Sequence, residues 1–350
     1  MKVLIFLLVL AIVLNGRYTL VSNSNIKIMP KKISYWYFFC ILSVFTCFRY
    51  NVGYDYPQYY SYLIEGRNSW AGEHFELIPR LILILSQSLN APWLFFTIIG
   101  FFILFFIFKT IEDFSVDTYS SLIIFITLFY LTSLSSVRQW LAISIIFYSY
   151  KYIKQKRIIP FCLCVFVAGN CHTSAYLAII IYFIYNYISN KIIIFSALLT
   201  MLFSKRIINS LLILLDLGKY QSYIENTVLS GNGASKINYV YYLLIFLNLL
   251  LYFYLKLEKS NNENTSLIAV TTFGVFFPSI FGTSTGLRIS YYFYIFFILL
   301  EPYMINRIKE KKVKYVFLLF FYCFFILFLL VDLKHDQGYS KYTFYFLKNT

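Results

Sequence analysis

Long runs of apolar residues constrain this chain more than any other feature. The runs PWLFFTIIGFFILFFIF (92–108) and YVFLLFFYCFFILFLLV (315–331) are apolar on every helical face and lack the alternating pattern of a barrel strand. Within a bilayer, a helix satisfies all of its own backbone hydrogen bonds. With 60% apolar residues, 13% charged residues and a mean hydropathy of +0.70, the chain has too little polar surface for a soluble domain. The sequence therefore predicts an all-α polytopic membrane protein, with residues 1–350 forming a single membrane domain.

Hydropathy predicts about twelve membrane-spanning helices, several of them shorter than the roughly 20 residues of a straight span. The predicted spans are 3–20, 34–48, 92–108, 119–135, 137–150, 158–170, 174–188, 191–204, 237–257, 265–282, 288–302 and 315–331. The first apolar run follows a single lysine and precedes no small-residue cleavage site, so we interpret it as an uncleaved helix. Basic loops at 17–32, 151–157 and 307–314 mark the cytoplasmic side, which places both chain ends outside.

Four apolar segments lie between the outer loop at residues 48–76 and the cytoplasmic loop at 151–157. The number of crossings between an outer loop and a cytoplasmic loop must be odd, so one of these four segments cannot cross the membrane. Residues 77–89 are the best candidate, since this segment is short and carries Arg80 and three polar residues. We expect a re-entrant or interfacial helix there. Residues 48–76 and 205–236 are then two segments on the outer side.

Polar side chains at the ends of the predicted spans fall on this same outer side. Ionisable groups at membrane depth cost several kcal/mol unless they face a cavity or a partner, so their gathering indicates a site. An arginine at a span end is also a common snorkelling anchor, which is the competing interpretation for each one alone. The candidate residues are Arg49, Asp55, Arg138, Gln139, His172 and Arg288.

The chemistry of these residues suits a phosphate-bearing substrate. Arginine grips phosphate oxygens in a bidentate manner, and an unperturbed imidazole, which titrates near about pH 6.5, accepts a proton close to neutrality. His172 or Asp55 would be the base, and the residues alone leave that choice open. No metal-binding or nucleotide-binding motif flanks these residues, so we expect no metal and no cofactor.

Two other features of the composition have simple interpretations. The net charge of +15 is scattered through short loops, which is typical of membrane topology and not of nucleic-acid binding. The six cysteines lie mostly inside apolar runs without paired spacing, so we interpret them as small core residues. They are Cys40, Cys47, Cys162, Cys164, Cys171 and Cys323.

Four motifs, taken in order, resemble a known family. They are an arginine followed by G-x-D-Y-x-x-Y (Arg49, Gly53, Asp55, Tyr56, Tyr59), VRQWLA (Arg138, Gln139, Ala142), NCHTSAYL (His172, Ser174, Ala175) and GLRISYYF (Arg288). This order and spacing resemble the EpsG-like branch of the Wzy-type polysaccharide polymerases over nearly the whole chain.

The resemblance implies a multi-span fold akin to the lipid-dependent, GT-C-like glycosyltransferases of the bacterial inner membrane. It implies polymerisation of O-antigen, capsule or exopolysaccharide on the periplasmic face, from repeat units carried on undecaprenyl diphosphate, with a chain-length regulator as a further partner. His172, Asp55, Arg138 and Arg288 would be catalytic. Arg49, Gly53, Tyr56, Tyr59 and Gln139 would bind substrate, with tyrosine rings stacking on sugars.

Three alternatives stay open at this stage. An O-antigen ligase shares the chemistry and the general architecture. A flippase has a similar number of helices, but we would expect polar residues through the bundle midplane and an internal repeat. A membrane acyltransferase would carry a second motif residue near the histidine, and the sequence has none.

Overall fold

The computed structural model describes residues 31–65, 74–187, 195, 236–255, 262–281, 283–335 and 342–347. The predicted spans 3–20 and 191–204 and the predicted outer segment 205–236 lie, apart from residues 195 and 236, outside this part of the chain. The described part is almost entirely helical, as the apolar runs predict.

The helices follow the predicted spans closely at most positions. In chain order they are α1 Lys31–Cys47, α2 Tyr56–Glu65, α3 Leu77–Ser88, α4 Pro92–Phe114, α5 Thr118–Ser135, α6 Val137–Tyr148, α7 Tyr150–Lys154, α8 Ile158–Gly169, α9 Ile179–Asn186, α10 Lys236–Tyr254, α11 Asn262–Phe273, α12 Phe276–Phe281, α13 Thr283–Tyr294, α14 Phe297–Arg307 and α15 Lys311–His335. Two strands, β1 Arg49–Tyr50 and β2 Thr343–Phe344, and two 3₁₀ turns, Thr173–Ala178 and Tyr345–Leu347, complete the order.

Several helices have the length and character of membrane segments. Helices α4 and α5 are long and apolar enough to cross a membrane, and shorter apolar helices accompany them. Helix α15 exposes large apolar side chains along its length, including Val316, Leu319 and Leu327. Apolar surface of this extent on a helix is typical of contact with lipid. The structure is therefore consistent with a membrane protein, and the number of twelve spans stays a prediction.

Two predicted spans are broken in the structure. The predicted span 265–282 is interrupted at Gly274, where an added Cβ would lie 2.4 Å from the ring of Tyr294. The predicted span 288–302 divides between α13 and α14. At this junction the backbone forms hydrogen bonds between residues three apart, as in a 3₁₀ turn: the N–H of Phe296 donates to Phe293 O at 3.3 Å. Helix α5 instead continues through a π-helical turn, Phe125–Phe129, a feature often found near functional sites.

Contacts divide the described residues into two compact units, where the sequence predicts one membrane domain. The first lies within Met1–Tyr148, Leu163–Tyr176 and Ile308–Thr350. The second lies within Ser149–Cys162 and Leu177–Arg307.

Helix α5 forms the centre of the first unit. Nearly all of its side chains are buried, and its Ser120 hydroxyl lies 2.9 Å from the hydroxyl of Tyr322 on α15. Helix α4 packs against both α1 and α6, and the Tyr35 hydroxyl donates to Phe108 O at 2.7 Å. These buried polar groups find partners inside the protein, as they must in an apolar environment.

A short segment near the C-terminus packs against the residues that follow α1. Residues Tyr342–Leu347, here called the C-terminal strap, contain β2, which pairs antiparallel with β1. The N–H of Tyr345 donates to Phe48 O at 2.8 Å, and the ring of Phe346 lies 5.5 Å from that of Phe48. The strap therefore lies on the same side of the first unit as Phe48.

The second unit is held by buried polar contacts between apolar helices. Tyr150 and Tyr185 join their hydroxyls at 3.1 Å, and Asn248 on α10 donates to the buried carboxyl of Glu301 on α14 at 2.5 Å. An added Cβ at Gly286 would lie 2.3 Å from Phe277 O. Only glycine therefore lets α13 pack this closely against α12.

The predicted topology is tested by cysteine accessibility. In a variant whose six native cysteines are replaced by serine, Gln58→Cys lies on the exposed face of α2 and Lys154→Cys lies at the exposed end of α7. We expect an impermeant maleimide to label the first in intact spheroplasts and the second only after the membrane is broken. The reverse pattern would contradict the assignment of residues 48–76 to the outside.

Candidate functional site

Arg49 is a buried residue whose side chain braces the loop between α1 and α2. It is 1% exposed, and its guanidinium donates to three backbone carbonyls: Thr46 at 2.6 Å, Val52 at 3.1 Å and Leu134 at 3.1 Å. It also lies over the ring of Phe96, 5.3 Å from the centroid. The side chain is thus enclosed by protein in this structure, and its predicted substrate-binding role stays a prediction. The residue joins α1, the following loop and the end of α5.

The glycine of the G-x-D motif brings the same loop against the end of α5. Gly53 has φ +111°, and an added Cβ would lie 2.4 Å from Leu134 O. The N–H of Tyr54 donates to the Ser135 hydroxyl at 2.8 Å. The positive φ and the short Cβ distance both require glycine at position 53, since other residues rarely adopt this conformation and a Cβ has no room there.

Asp55 lies directly before α2 and faces the break between α5 and α6. Its carboxylate accepts a 3.4 Å hydrogen bond from the hydroxyl of Ser136 and forms no ion pair with the arginines of the described residues. The nearby guanidinium of Arg49 donates to backbone carbonyls instead.

Arg138 lies in the first turn of α6, just after that break. Its Nη1 donates to Glu76 Oε2 at 2.6 Å and its Nε donates to the Tyr59 hydroxyl at 3.3 Å. The guanidinium carbon lies 4.0 Å from the centroid of the Phe75 ring. The side chain is 18% exposed, and Nη2 makes no hydrogen bond to any other residue in the described ranges. Three described neighbours thus hold the Nε and Nη1 groups and the plane of the guanidinium.

Glu76 connects Arg138 to the histidine motif. Its other oxygen, Oε1, accepts from the backbone N–H of Thr173 at 3.2 Å, and the N–H of Ile78 donates to Asn170 O at 3.0 Å. Glu76 is not among the residues predicted from the sequence. It directly precedes the predicted re-entrant helix, on the side where the arginines are predicted, so the need for a carboxylate to balance their charge was the available signal.

His172 follows α8 in a turn that leads into the 3₁₀ segment. Its Nδ1 lies 2.7 Å from the Ser174 hydroxyl and accepts from the Ser174 backbone N–H at 3.4 Å. An N–H only donates, so Nδ1 is an acceptor, and the neutral ring carries its hydrogen on Nε2. His172 is thus coupled to a hydroxyl through the nitrogen that can take up a proton.

The neighbouring thiol takes no part in such chemistry. Cys171 is buried, and burial, with a smaller contribution from the Glu76 carboxylate, raises the pKa of its thiol to about 12. A thiol that stays protonated is a poor nucleophile. All six cysteines are free. Cys47 and Cys171 are buried, as core residues should be, whereas Cys40 and Cys323 are exposed, which corrects the core interpretation for those two.

Of the remaining predicted residues, three are buried in the first unit and one is exposed in the second. Tyr56 and Gln139 are 2% and 3% exposed, and Tyr56 stacks on Phe96 at 4.2 Å, so both build the wall of the first unit. Tyr59 is 8% exposed and touches Arg138. Arg288 belongs to the second unit, where its side chain is exposed on α13.

The first unit therefore brings three predicted elements together. The G-x-D loop contacts the turn before α6 through Ser135 and Ser136, Glu76 joins the start of α6 to the histidine turn, and the C-terminal strap pairs with β1 just before the G-x-D loop. The arrangement offers a fixed cation, a carboxylate and a histidine coupled to serine, which suits an anionic substrate and proton transfer. Within the described ranges, no cluster of three or more His, Cys, Asp or Glu residues is placed to hold a metal ion.

Comparison with known proteins identifies the family. The family model described as the EpsG family matches residues 32–344, which covers most of the chain. The chain belongs to the EpsG family. Searches of curated proteins and of solved structures found no match.

Membership of the EpsG family agrees with the resemblance carried by the four motifs. EpsG-like proteins are Wzy-type polymerases, so the family suggests a polysaccharide polymerase with glycosyltransferase-like activity. The EpsG match begins inside α1 and ends within the C-terminal strap. It therefore includes every residue of the site described above.

The role of Arg49 as a brace predicts a large loss of stability on its removal. Arg49→Ala leaves three buried carbonyls without their donor, which should destabilise the protein by about 3 kcal/mol or more. Arg49→Lys should rescue little, because an ammonium lacks the planar fork. Thermal unfolding in detergent, followed by intrinsic fluorescence, measures this.

Arg80→Ala is the matched control, since Arg80 is exposed on α3, and it should change stability by no more than about 0.5 kcal/mol. An Arg49→Ala protein that unfolds at the wild-type temperature would refute the brace.

Proposed function

We propose that this EpsG-family chain is a polysaccharide polymerase of the bacterial inner membrane. It transfers a growing glycan from undecaprenyl diphosphate to the next lipid-linked repeat unit on the periplasmic face. The observation that carries the proposal is Arg138, a partly exposed guanidinium that Glu76, Tyr59 and Phe75 hold in place next to the histidine turn. A preoriented guanidinium of this kind suits a diphosphate leaving group.

The reaction joins two sugars and releases the lipid carrier. An acceptor hydroxyl oxygen attacks the anomeric carbon of the growing chain, the bond from that carbon to the diphosphate breaks, and the lipid diphosphate leaves with the bonding electrons. Negative charge grows on the diphosphate as that bond breaks, so a fixed cation stabilises the transition state more than the ground state. We assign this cation to Arg138, and the predicted catalytic role of Arg288 stays a separate prediction.

The acceptor hydroxyl must lose its proton in the same step. We assign the proton to His172 through Ser174: the hydroxyl of Ser174 takes the proton from the sugar and passes its own to Nδ1. The 2.7 Å contact between Ser174 Oγ and Nδ1 supports this relay. Asp55 is the alternative base, and its hydrogen bond to Ser136 places it at the same turn as Arg138.

A deletion strain carrying the rest of its polysaccharide locus tests the activity. Without this chain, surface glycan should be capped by a single repeat unit, because the units are still exported. Arg138→Lys should fail to restore polymer, since lysine cannot hold Glu76, Tyr59 and a phosphate together. Arg80→Lys should restore it fully. Gel analysis of glycan length, with variant levels matched by immunoblot, is the measurement.

Other outcomes of this experiment point to other functions. Lipid-linked units trapped inside the cell, with no surface glycan, would support a flippase. Full-length polymer that fails to reach its final acceptor would support a ligase. Full-length polymer with Arg138→Lys would return Arg138 to the role of a membrane anchor.

The proton relay is tested with purified proteins acting on lipid-linked repeat units extracted from the deletion strain. His172→Ala should lower kcat by about 10²- to 10⁴-fold, the usual contribution of a general base. Ser174→Ala should show a substantial part of the same loss, while unit binding by both variants stays near wild type. A near-normal rate for His172→Ala together with an inactive Asp55→Asn protein would assign the base to Asp55.

A further inference from the structure

Glu76 lies at the N-cap position of α3, where its negative charge faces the positive end of the helix dipole. It is the residue before α3, with φ −60° and ψ 158°, yet its side chain makes no capping hydrogen bond. The carboxylate instead turns away and accepts from Arg138 at 2.6 Å and from the Thr173 N–H at 3.2 Å. The hydrogen bonds of the Glu76 carboxylate therefore join two other elements and do not cap α3.

The two elements that it joins are those that carry the proposed chemistry. Arg138 opens α6, and Thr173 follows His172 directly. One carboxylate with a bond to each fixes the separation between the guanidinium and the histidine turn. The neighbouring bond from Ile78 N–H to Asn170 O holds α3 against the same turn, so the junction does not depend on Glu76 alone.

The bond to Glu76 also sets the rotation of the Arg138 guanidinium within its own plane. The contact from Nε to Tyr59 is long, at 3.3 Å, and the stacking on Phe75 constrains the plane of the group but not its rotation within that plane. The short charged bond at Nη1 is the strongest of the three. It sets the rotation, so that Nη2 is the group left for another anion.

We propose that Glu76 is a positioning residue for glycosyl transfer, which acts by orienting Arg138 and tying it to the histidine turn. This role rests on the proposed function, since it concerns the contact between Arg138 and the leaving diphosphate. Glu76 itself touches neither the breaking bond nor the diphosphate. Its loss should therefore lower the rate of the chemical step and leave substrate affinity nearly unchanged.

The test uses full-length Glu76→Gln protein and lipid-linked repeat units extracted from the deletion strain. Glutamine keeps the volume and can still accept from Thr173, but it loses the charged bond to Arg138. We expect kcat to fall about 10- to 100-fold, the scale of a small misplacement of a catalytic group, with KM within about threefold of wild type. Glu65→Gln, an exposed change at the end of α2, should leave both constants unaltered.

A double-mutant cycle separates positioning from a general structural role. If Glu76 acts through Arg138, adding Glu76→Gln to Arg138→Ala should lower the residual rate by less than about threefold, because the two losses are shared. A full 10-fold or greater additional loss would overturn the proposal. So would a wild-type kcat for Glu76→Gln alone.

The outcomes also separate this proposal from the proposed function. Failure of the wild-type protein to polymerise the units would overturn the function, whereas an active wild type with a fully active Glu76→Gln variant overturns only the role of Glu76. If Glu76→Gln does not fold, Glu76→Asp replaces it. Aspartate keeps the charge but is one methylene too short to hold both partners, and an intermediate kcat with unchanged KM is then the expected result.

Discussion

A guanidinium buried in an apolar protein must find its acceptors within the chain, and the placement of Arg49 follows from this constraint. Its bonds to the carbonyls of Thr46, Val52 and Leu134 tie α1 and the outer loop to the end of α5. The charge costs free energy to bury, and the three bonds offset that cost only when the loop is folded. The hydrogen bonds of Arg49 therefore stabilise the folded conformation of this loop.

The position of Arg138 depends on this brace. The loop meets α5 where Gly53 approaches Leu134, and α6 begins after the turn at Ser136. Arg138 is two residues further on, so the turn sets the direction in which its side chain leaves the helix. Glu76 and Phe75 then hold the guanidinium from the side of α3. The contacts of the buried Arg49 thus help to determine the position of the partly exposed Arg138.

The sequence predicted the helical class and most helix positions, because long apolar runs can be recognised without a structure. Of the residues that it grouped, the first unit contains residues 49–55, Arg138 and His172, whereas Arg288 lies in the second unit. The sequence could not distinguish Arg49 from Arg138, since the two differ only in what surrounds them. It missed Glu76 because no apolar pattern marks an acid before a short helix. It missed the C-terminal strap because pairing of Arg49 with Phe344 is a contact between distant parts of the chain. The breaks near Gly274 and Tyr294 depend equally on packing.

The central claim is that Arg138 receives the diphosphate of the lipid-linked substrate. An electron cryomicroscopy structure of the full chain in lipid nanodiscs with undecaprenyl diphosphate tests it most directly. The account predicts diphosphate density within hydrogen-bonding distance of Arg138 Nη2, while Nη1 keeps its bond to Glu76 and the Arg49 brace is unchanged. Diphosphate density held by the basic loop at 307–314, with Arg138 unoccupied, would contradict it.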